Sequence, residues 1–286
     1  MKLALGTAQF GLDYGITNVQ GQVCPSQINK ILTLAKQENI NTLDTAPAYG
    51  NSEGILGKTS LCSQFNIVTK IPALKSDESC VNQYVNSSLK QLHIEKLTAV
   101  LFHQVDDIIS SPLAESRFNS LIKLKQKNKI SKIGISVYTP EQLEFCIKHY
   151  PIDIVQLPLN IIDQRFITTN WLKKLADIGV EVHCRSLFLQ GLLLVPPEKL
   201  PSYFTPFKDY FNCFSEAALQ LKVTPLSLAL AIGLQHDGIN KIVVGCCDDK
   251  QLSEIISAYT TAKTINEDLS SFACDNEKLV IPSNWH

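Results

Sequence analysis

Four residues able to hold or move protons are spread over the first 103 positions: Asp44 and Tyr49 in "NTLDTAPAYGNSE", Lys70 closing "NIVTK", and His103 closing "TAVLFH". A free phenol has a pKa of about 10, too high for efficient proton exchange at neutral pH. A neighbouring ammonium favours the phenolate and lowers that value, and a carboxylate partner keeps a partly buried ammonium charged. Gathered together, Asp44, Lys70 and Tyr49 would form a proton relay. His103 would act as a hydrogen-bonding guide or second donor to a carbonyl oxygen. Taken singly, each has an ordinary explanation: a helix cap for Asp44, a loop aromatic for Tyr49, a snorkelling surface lysine for Lys70, a satisfied core histidine for His103.

What joins them is their place at the ends of strands. Short β-branched runs recur at 2–7, 41–45, 66–70, 98–103, 132–137, 153–159, 180–186 and 241–246, each followed by a helical pattern. The runs are apolar at consecutive positions, as in parallel strands buried on both faces. In "SQINKILTLAKQEN", Ile28, Ile31, Leu32, Leu34 and Ala35 make a stripe at helical spacing. The pattern predicts an α/β fold: a closed (β/α)8 TIM barrel, a single domain over 1–286, with a long loop after strand 7 and a C-terminal extension. That loop, opening "LFLQGLLLVPPEKL", reads as a cover over ligand. A doubly wound open sheet is the alternative, but "LGTAQFGLDYG" lacks the G-x-G-x-x-G spacing of its dinucleotide-binding form. Barrels do their chemistry at the carboxyl ends of the strands. Those ends add Ser136, Gln156, Asn160, Arg185, Gly245 and Cys246 to the four residues above.

Composition excludes several other classes. The 286 residues are 45% apolar and 19% charged, enough for a sizeable core, and the net charge of −1 offers no nucleic-acid surface. Lys123, Lys125, Lys127 and Lys129 read as the solvated end of a helix. No 18-residue apolar run occurs, and "MKLALGTAQF" turns polar too early for a signal peptide, so a cytoplasmic protein without a membrane partner is expected. Nine scattered cysteines without C-x-x-C spacing predict reduced thiols and no metal site.

The stretches "LGTAQFG", "LDTAPAYGNSEGILG", "VTK", "LFHQ", "GIS", "VQLPLNIID" and "IVVGCCDDKQLSEII" resemble, in order, the aldo-keto reductase superfamily. The resemblance implies a barrel with Tyr49 as general acid, Asp44 and Lys70 tuning it, and His103 orienting the substrate carbonyl. It also implies hydride delivery from a nicotinamide dinucleotide. The cofactor would lie along Gly6, Thr7, Ser136, Gln156, Arg185, Ser186, Leu187, Gln190 and Gly191, with its carboxamide on Ser136 and Gln156. Val137 stands where the family carries an asparagine, with Asn160 nearby as a substitute. Arg185 stands where an aromatic residue usually stacks on the nicotinamide. A guanidinium can also stack, but its charge disfavours the oxidised ring. Arg185 therefore reads as a contact for substrate anions or a determinant of redox preference, with an ion-paired surface arginine as the alternative.

The adenosine end falls on Gly245, Cys246, Lys250, Gln251 and Glu254, where a helix start suits phosphate and Asp248 or Asp249 suits a cap. The lysine and arginine that hold an NADP 2′-phosphate in many relatives are replaced by Gly245 and Gln251. NADPH is the expectation, with NADH left open. The opening "TAQFGLDYGI" and closing "IPSNWH" resemble aldo-keto reductase-like proteins encoded with bacterial surface-polysaccharide genes. That implies a sugar or nucleotide-sugar carbonyl as substrate, with Gln9, Phe10, Tyr14 and Trp285 near it, and a monomer or weak oligomer. A cofactor-binding, redox-sensing regulator with little turnover is the competing function. A Schiff-base aldolase using Lys70 is disfavoured, because Asp44 would keep that lysine charged.

Overall fold

Each strand in this chain is short and apolar on both faces because both faces are covered. The computed structural model describes residues 1–74 and 81–285. Eight strands are present among them: β1 Leu3–Gly6, β2 Thr42–Asp44, β3 Asn66–Ile71, β4 Leu97–Phe102, β5 Ile130–Ser136, β6 Ile154–Pro158, β7 Glu181–Arg185 and β8 Lys241–Val244. They pair in parallel in sequence order, and β8 closes onto β1 with Leu3 opposite Ile242. Helices alternate with the strands around the outside, so the predicted (β/α)8 barrel is the fold.

Alternation along the strands divides the core in two. Val68, Ala99, Leu101 and Ile154 fill the barrel interior, while Ile67, Val100, Phe102, Ile135, Val155 and Leu157 face the helices. The interior turns polar at both ends. At the amino end Glu181 pairs with Lys132 and with His183. At the carboxyl end stand Asp44, Lys70, Ser136 and Gln156, all buried.

Local sequence explains the helices. Pro25 opens Pro25–Gln37, which buries Ile28, Ile31, Leu32 and Ala35. It ends two residues before the predicted boundary, where Asn39 turns left-handed and feeds the chain into β2. Asn128 and Gly179 make the same turn after Ala114–Gln126 and Trp171–Asp177. A capping box between Thr139 and Gln142 starts Pro140–His149. The helical sequence "DESCVNQYVNSSLKQL" (77–92) after β3 forms Val81–Leu92; residues 77–80 lie outside the described residues.

The segment after β7 differs from the expectation of a ligand cover. Only its start, up to Leu194, reaches the cleft. The remainder carries Phe207, Phe211 and Phe214 at helical spacing, and these bury beneath Lys208–Gln220. The Tyr203 hydroxyl reaches Lys278 O and Asn284 O, both at 2.9 Å, tying this segment to the C-terminal extension. Among the described residues no single helix is long and apolar enough to cross a membrane, and all eight described cysteines are free.

Candidate active site

The site is built outward from the last residue of β2. Thr7 at the end of β1 donates its N–H and hydroxyl to Asp44 O, at 2.9 and 3.0 Å, which fixes that strand end. The Asp44 carboxylate points across the barrel mouth. Oδ2 accepts from Lys70 Nζ at 2.7 Å and Oδ1 accepts from Gln156 Nε2 at 2.7 Å. Lys70 Nζ also donates to Thr45 O at 3.1 Å and to the Tyr49 hydroxyl at 3.2 Å. All three ammonium protons therefore have acceptors, as a buried cation requires.

The loop carrying Tyr49 is short and heavily anchored. Gly50 adopts φ +57°, and a Cβ there would stand 2.4 Å from Gly11 O, so only glycine lets the two backbones meet. Ser52 Oγ lies 2.9 Å from both Thr7 O and Thr7 Oγ1, and 3.3 Å from Thr45 Oγ1. Glu53 is buried and accepts from Thr69 Oγ1 at 2.6 Å and Ser88 Oγ at 3.1 Å. Burial pushes its carboxyl above the usual range. The motif "DTAPAYGNSE" is thus a carboxylate, a phenol and the fastenings of both.

His103 follows β4, its N–H bonded to Ile71 O at 3.0 Å. Its ring stands edge-on to Tyr49 with centroids 5.7 Å apart. Burial first, and then the Lys70 charge, push the imidazole down to about 4, so it is neutral at physiological pH. Lys70 is pulled down by burial, but Asp44 and Tyr49 more than restore it, so it stays an ammonium. The sequence reading of Tyr49 needs correction here. Lys70 does lower the phenol, yet burial outweighs it, and the net shift is upward. Tyr49 rests as a protonated phenol, with a positive charge waiting for the phenolate that proton loss would create.

A cleft of about 500 Å³ opens above these groups. Of the residues expected at the site, Gly6, Thr7, Gln9, Tyr14, Asp44, Tyr49, His103, Ser136, Gln156, Arg185, Ser186, Leu187, Gln190, Gly191, Gly245, Cys246, Gln251 and Glu254 line it. Lys70 lies buried behind, touching Asp44 and Tyr49. Four other expected residues do not line it either. Phe10 is wholly buried in the core. Trp285 packs edge-on against Phe204 and donates its indole N–H to Leu279 O. Lys250 is exposed, while Gln251, Glu254 and Ile255 form the helix face toward the cleft. The Asn160 side-chain oxygen is used by the N–H groups of Ile162 and Asp163. Gln9, expected beside the substrate, lines the cleft with its side chain across Gly245, where a Cβ would stand 2.6 Å from its amide nitrogen.

The structure adds residues that sequence reasoning missed. The loop after β1 brings Gly15, Thr17 and Asn18 to the cleft, and the loop after β5 brings Tyr138. Thr17 Oγ1 lies 3.3 Å from Gln190 O, and a Cβ on Gly191 would overlap Thr17 Oγ1 at 1.9 Å. Ser186, Leu189 and Gln190 are all left-handed, at φ +68°, +48° and +54°. Each such residue costs about 1–3 kcal/mol, and clusters of them mark functional loops. At β8, Asp248 caps Asp249–Ala262 through Gln251 N, and the Gln251 side chain accepts from Cys247 N at 2.8 Å.

Arg185, the last residue of β7, points into the cleft. Its guanidinium lies 4.3 Å from the Tyr138 ring centroid and donates to Val137 O at 3.2 Å and Ser186 Oγ at 3.4 Å. Among the described residues no carboxylate lies within ion-pair distance of it. The surface ion-pair alternative is thereby excluded for the described residues.

Comparison with known proteins agrees with this geometry. L-galactose dehydrogenase of Arabidopsis thaliana is 26% identical over 251 residues, which span 80% of this chain and 76% of the plant protein. D-arabinose 1-dehydrogenase of Saccharomyces cerevisiae is 24% identical over 270 residues, spanning 85% and 80%. In structure, the chain is similar to the holo form of aldo-keto reductase AKR11C1 from Bacillus halodurans, with a TM-score of 0.75 at 20% identity, covering 100% of this chain and 95% of that one. The profile of the Aldo/keto reductase family matches residues 2–271, and with the closed barrel and the residues gathered at its mouth, this chain belongs to that family.

Proposed function

We propose that this chain interconverts a carbonyl and an alcohol using a nicotinamide dinucleotide, with Tyr49 as general acid in the reducing direction. The observation that carries the reading is one ammonium shared among Asp44, Thr45 O and the Tyr49 hydroxyl. Ser136 and Gln156 would offer a hydroxyl and an amide to a carboxamide, and the loop from Ser186 to Gly191, left-handed at Ser186, Leu189, Gln190 and Gly191, would bring backbone close to a long ligand. A bound reduced nicotinamide would supply the hydride taken up by the carbonyl carbon. Tyr49 gives its proton to the carbonyl oxygen as negative charge builds there. Lys70 stabilises the phenolate left behind, so its charge acts more strongly in the transition state than in the ground state. Asp44 keeps Lys70 charged, and neutral His103 offers an N–H to the same oxygen.

Two finer points belong to this reading. The relatives named for L-galactose and D-arabinose dehydrogenation support a sugar-type carbonyl or its alcohol as substrate class. The adenosine end is lined by Glu254 and by no cation among the described residues, which favours NADH over the NADPH expected from the family. A ribose diol can donate to a carboxylate, whereas a 2′-phosphate would be repelled by it. The chain is read as a cytoplasmic monomer or weak oligomer.

The test is Tyr49→Phe, assayed with aldoses and keto-sugars by dinucleotide absorbance. Turnover falls by about 100-fold or more, while dinucleotide affinity, measured by fluorescence, stays near wild type. Wild-type turnover in the variant would assign the proton donor elsewhere.

A further inference from the structure

The catalytic mouth carries a charge that the proposed chemistry does not use. Asp44 and Lys70 neutralise each other, and His103 is neutral at physiological pH. The Arg185 guanidinium is left uncompensated, half-buried in the cleft wall. Its planar fork is held on three sides: Tyr138 beneath its face, Val137 O on one nitrogen and Ser186 Oγ on another. The remaining N–H donors find no protein acceptor among the described residues. Stacking and two anchoring bonds make this a rigid group, so little rotamer freedom is lost when it binds something further. A guanidinium so held presents donors suited to two oxygens of one carboxylate or phosphate.

The direction of the side chain identifies which molecule brings that anion. Val137 and Tyr138 follow β5, so these contacts draw Arg185 toward β5 and the catalytic groups, away from β8 and the adenosine end. Its charge is felt at both Tyr49 and His103, lowering each. Of the two carboxylates on the cleft wall, Asp44 is paired with Lys70, and Glu254 lies on the helix Asp249–Ala262 beyond β8.

We propose that Arg185, backed by Tyr138, is a specificity-determining residue that binds a carboxylate or phosphate on the carbonyl substrate itself. The substrate class is then an anionic sugar-type carbonyl, a uronate or a sugar phosphate, rather than a neutral sugar. This proposal rests on the oxidoreductase reading for its turnover arm and stands apart from it in its binding arm.

The experiment uses the full chain and two matched pairs, D-glucuronate against D-glucose and D-glyceraldehyde 3-phosphate against D-glyceraldehyde. These separate a carboxylate from a phosphate as the recognised group. Wild type prefers the anionic member of at least one pair in kcat/KM by roughly ten- to hundredfold, the size of a charge-assisted hydrogen-bonded contact. In Arg185→Met that preference ratio collapses toward one, and Arg185→Lys, which keeps charge without the fork, retains part of it. In parallel, calorimetry on the chain saturated with NADH compares D-gluconate with D-glucitol, neither of which carries a carbonyl that the reduced dinucleotide could reduce. Gluconate binds at least about tenfold tighter to wild type, with no such difference in Arg185→Met. Circular dichroism establishes that each variant is folded.

Equal handling of anionic and neutral partners by wild type in both assays would overturn the proposal. So would a preference that survives in Arg185→Met. A loss of NADH affinity in Arg185→Met as large as the loss of selectivity would overturn it too, by assigning the guanidinium to the cofactor. If no carbonyl compound turns over yet gluconate still binds through Arg185, the oxidoreductase reading fails and the anion site stands.

Discussion

His103 links the chemistry of the site to the stability of the fold in a way that can be measured without any substrate. An unfolded chain carries histidine with a pKa of about 6.5, whereas burial and the Lys70 charge hold His103 at about 4 in the folded protein. Between those values the unfolded state binds a proton that the folded state refuses, so stability falls as pH is lowered through this window. The full difference corresponds to about 3 kcal/mol below pH 4, and lowering pH from 7 to 5 removes about 2 kcal/mol. The perturbation is His103→Asn, which keeps a polar, hydrogen-bonding side chain but cannot titrate. Urea unfolding of wild type and variant at both pH values gives four free energies. Other groups titrate equally in the two proteins, so the difference of differences isolates His103. Wild type is expected to lose about 2 kcal/mol more than the variant between pH 7 and 5. Parallel losses in the two proteins would mean that His103 protonates freely in the folded state. Its role as a neutral N–H donor would then lose its basis.

The remaining predictions concern the acid behind the site and the far end of the cleft. Burial raises the Glu53 carboxyl, so wild-type stability declines as pH rises above the ordinary glutamate value, where only the unfolded state readily ionises. Glu53→Gln removes that decline, and thermal melts of the two proteins should diverge in the variant's favour from pH 4 toward pH 8; a constant gap would refute the buried-acid assignment. NADH should bind more tightly than NADPH, by about tenfold, because a 2′-phosphate meets Glu254. Fluorescence titrations in which Glu254→Gln leaves that ratio unchanged would assign the preference to other residues.

The four proton-handling residues were legible in sequence because strand period and strand ends are. Asp44 and Lys70 close β-branched runs, His103 follows one, and a parallel barrel brings such positions to one rim. Tyr138, Thr17 and Asn18 were not legible. Each sits in an irregular loop without period, and reaches the cleft only because strands distant in sequence are adjacent in the barrel. Phe10 and Trp285 show the opposite failure. A loop aromatic looks the same in sequence whether it walls a pocket or fills a core, and these two bury against the barrel and against Phe204. Lys250 was misplaced because one residue along a helix is a rotation of about 100°. Its neighbours Gln251 and Glu254 face the cleft while it faces solvent. For Tyr49, the sequence identified the lysine that lowers the phenol but gave no measure of the desolvation that raises it.

The fastening of the phenol has a consequence for how fast its proton can move. Ser52 is tied to Thr7 at the end of β1 and to Thr45 just after β2, and Glu53 to Thr69 within β3, so a loop of a few residues inherits the stiffness of three strands. In the proposed mechanism, the phenol oxygen and the ammonium beside it are thus held 3.2 Å apart before any substrate arrives. With Tyr49 as the proposed acid, most of the rearrangement that water would undergo around a forming phenolate would be completed by folding rather than repeated at each turnover.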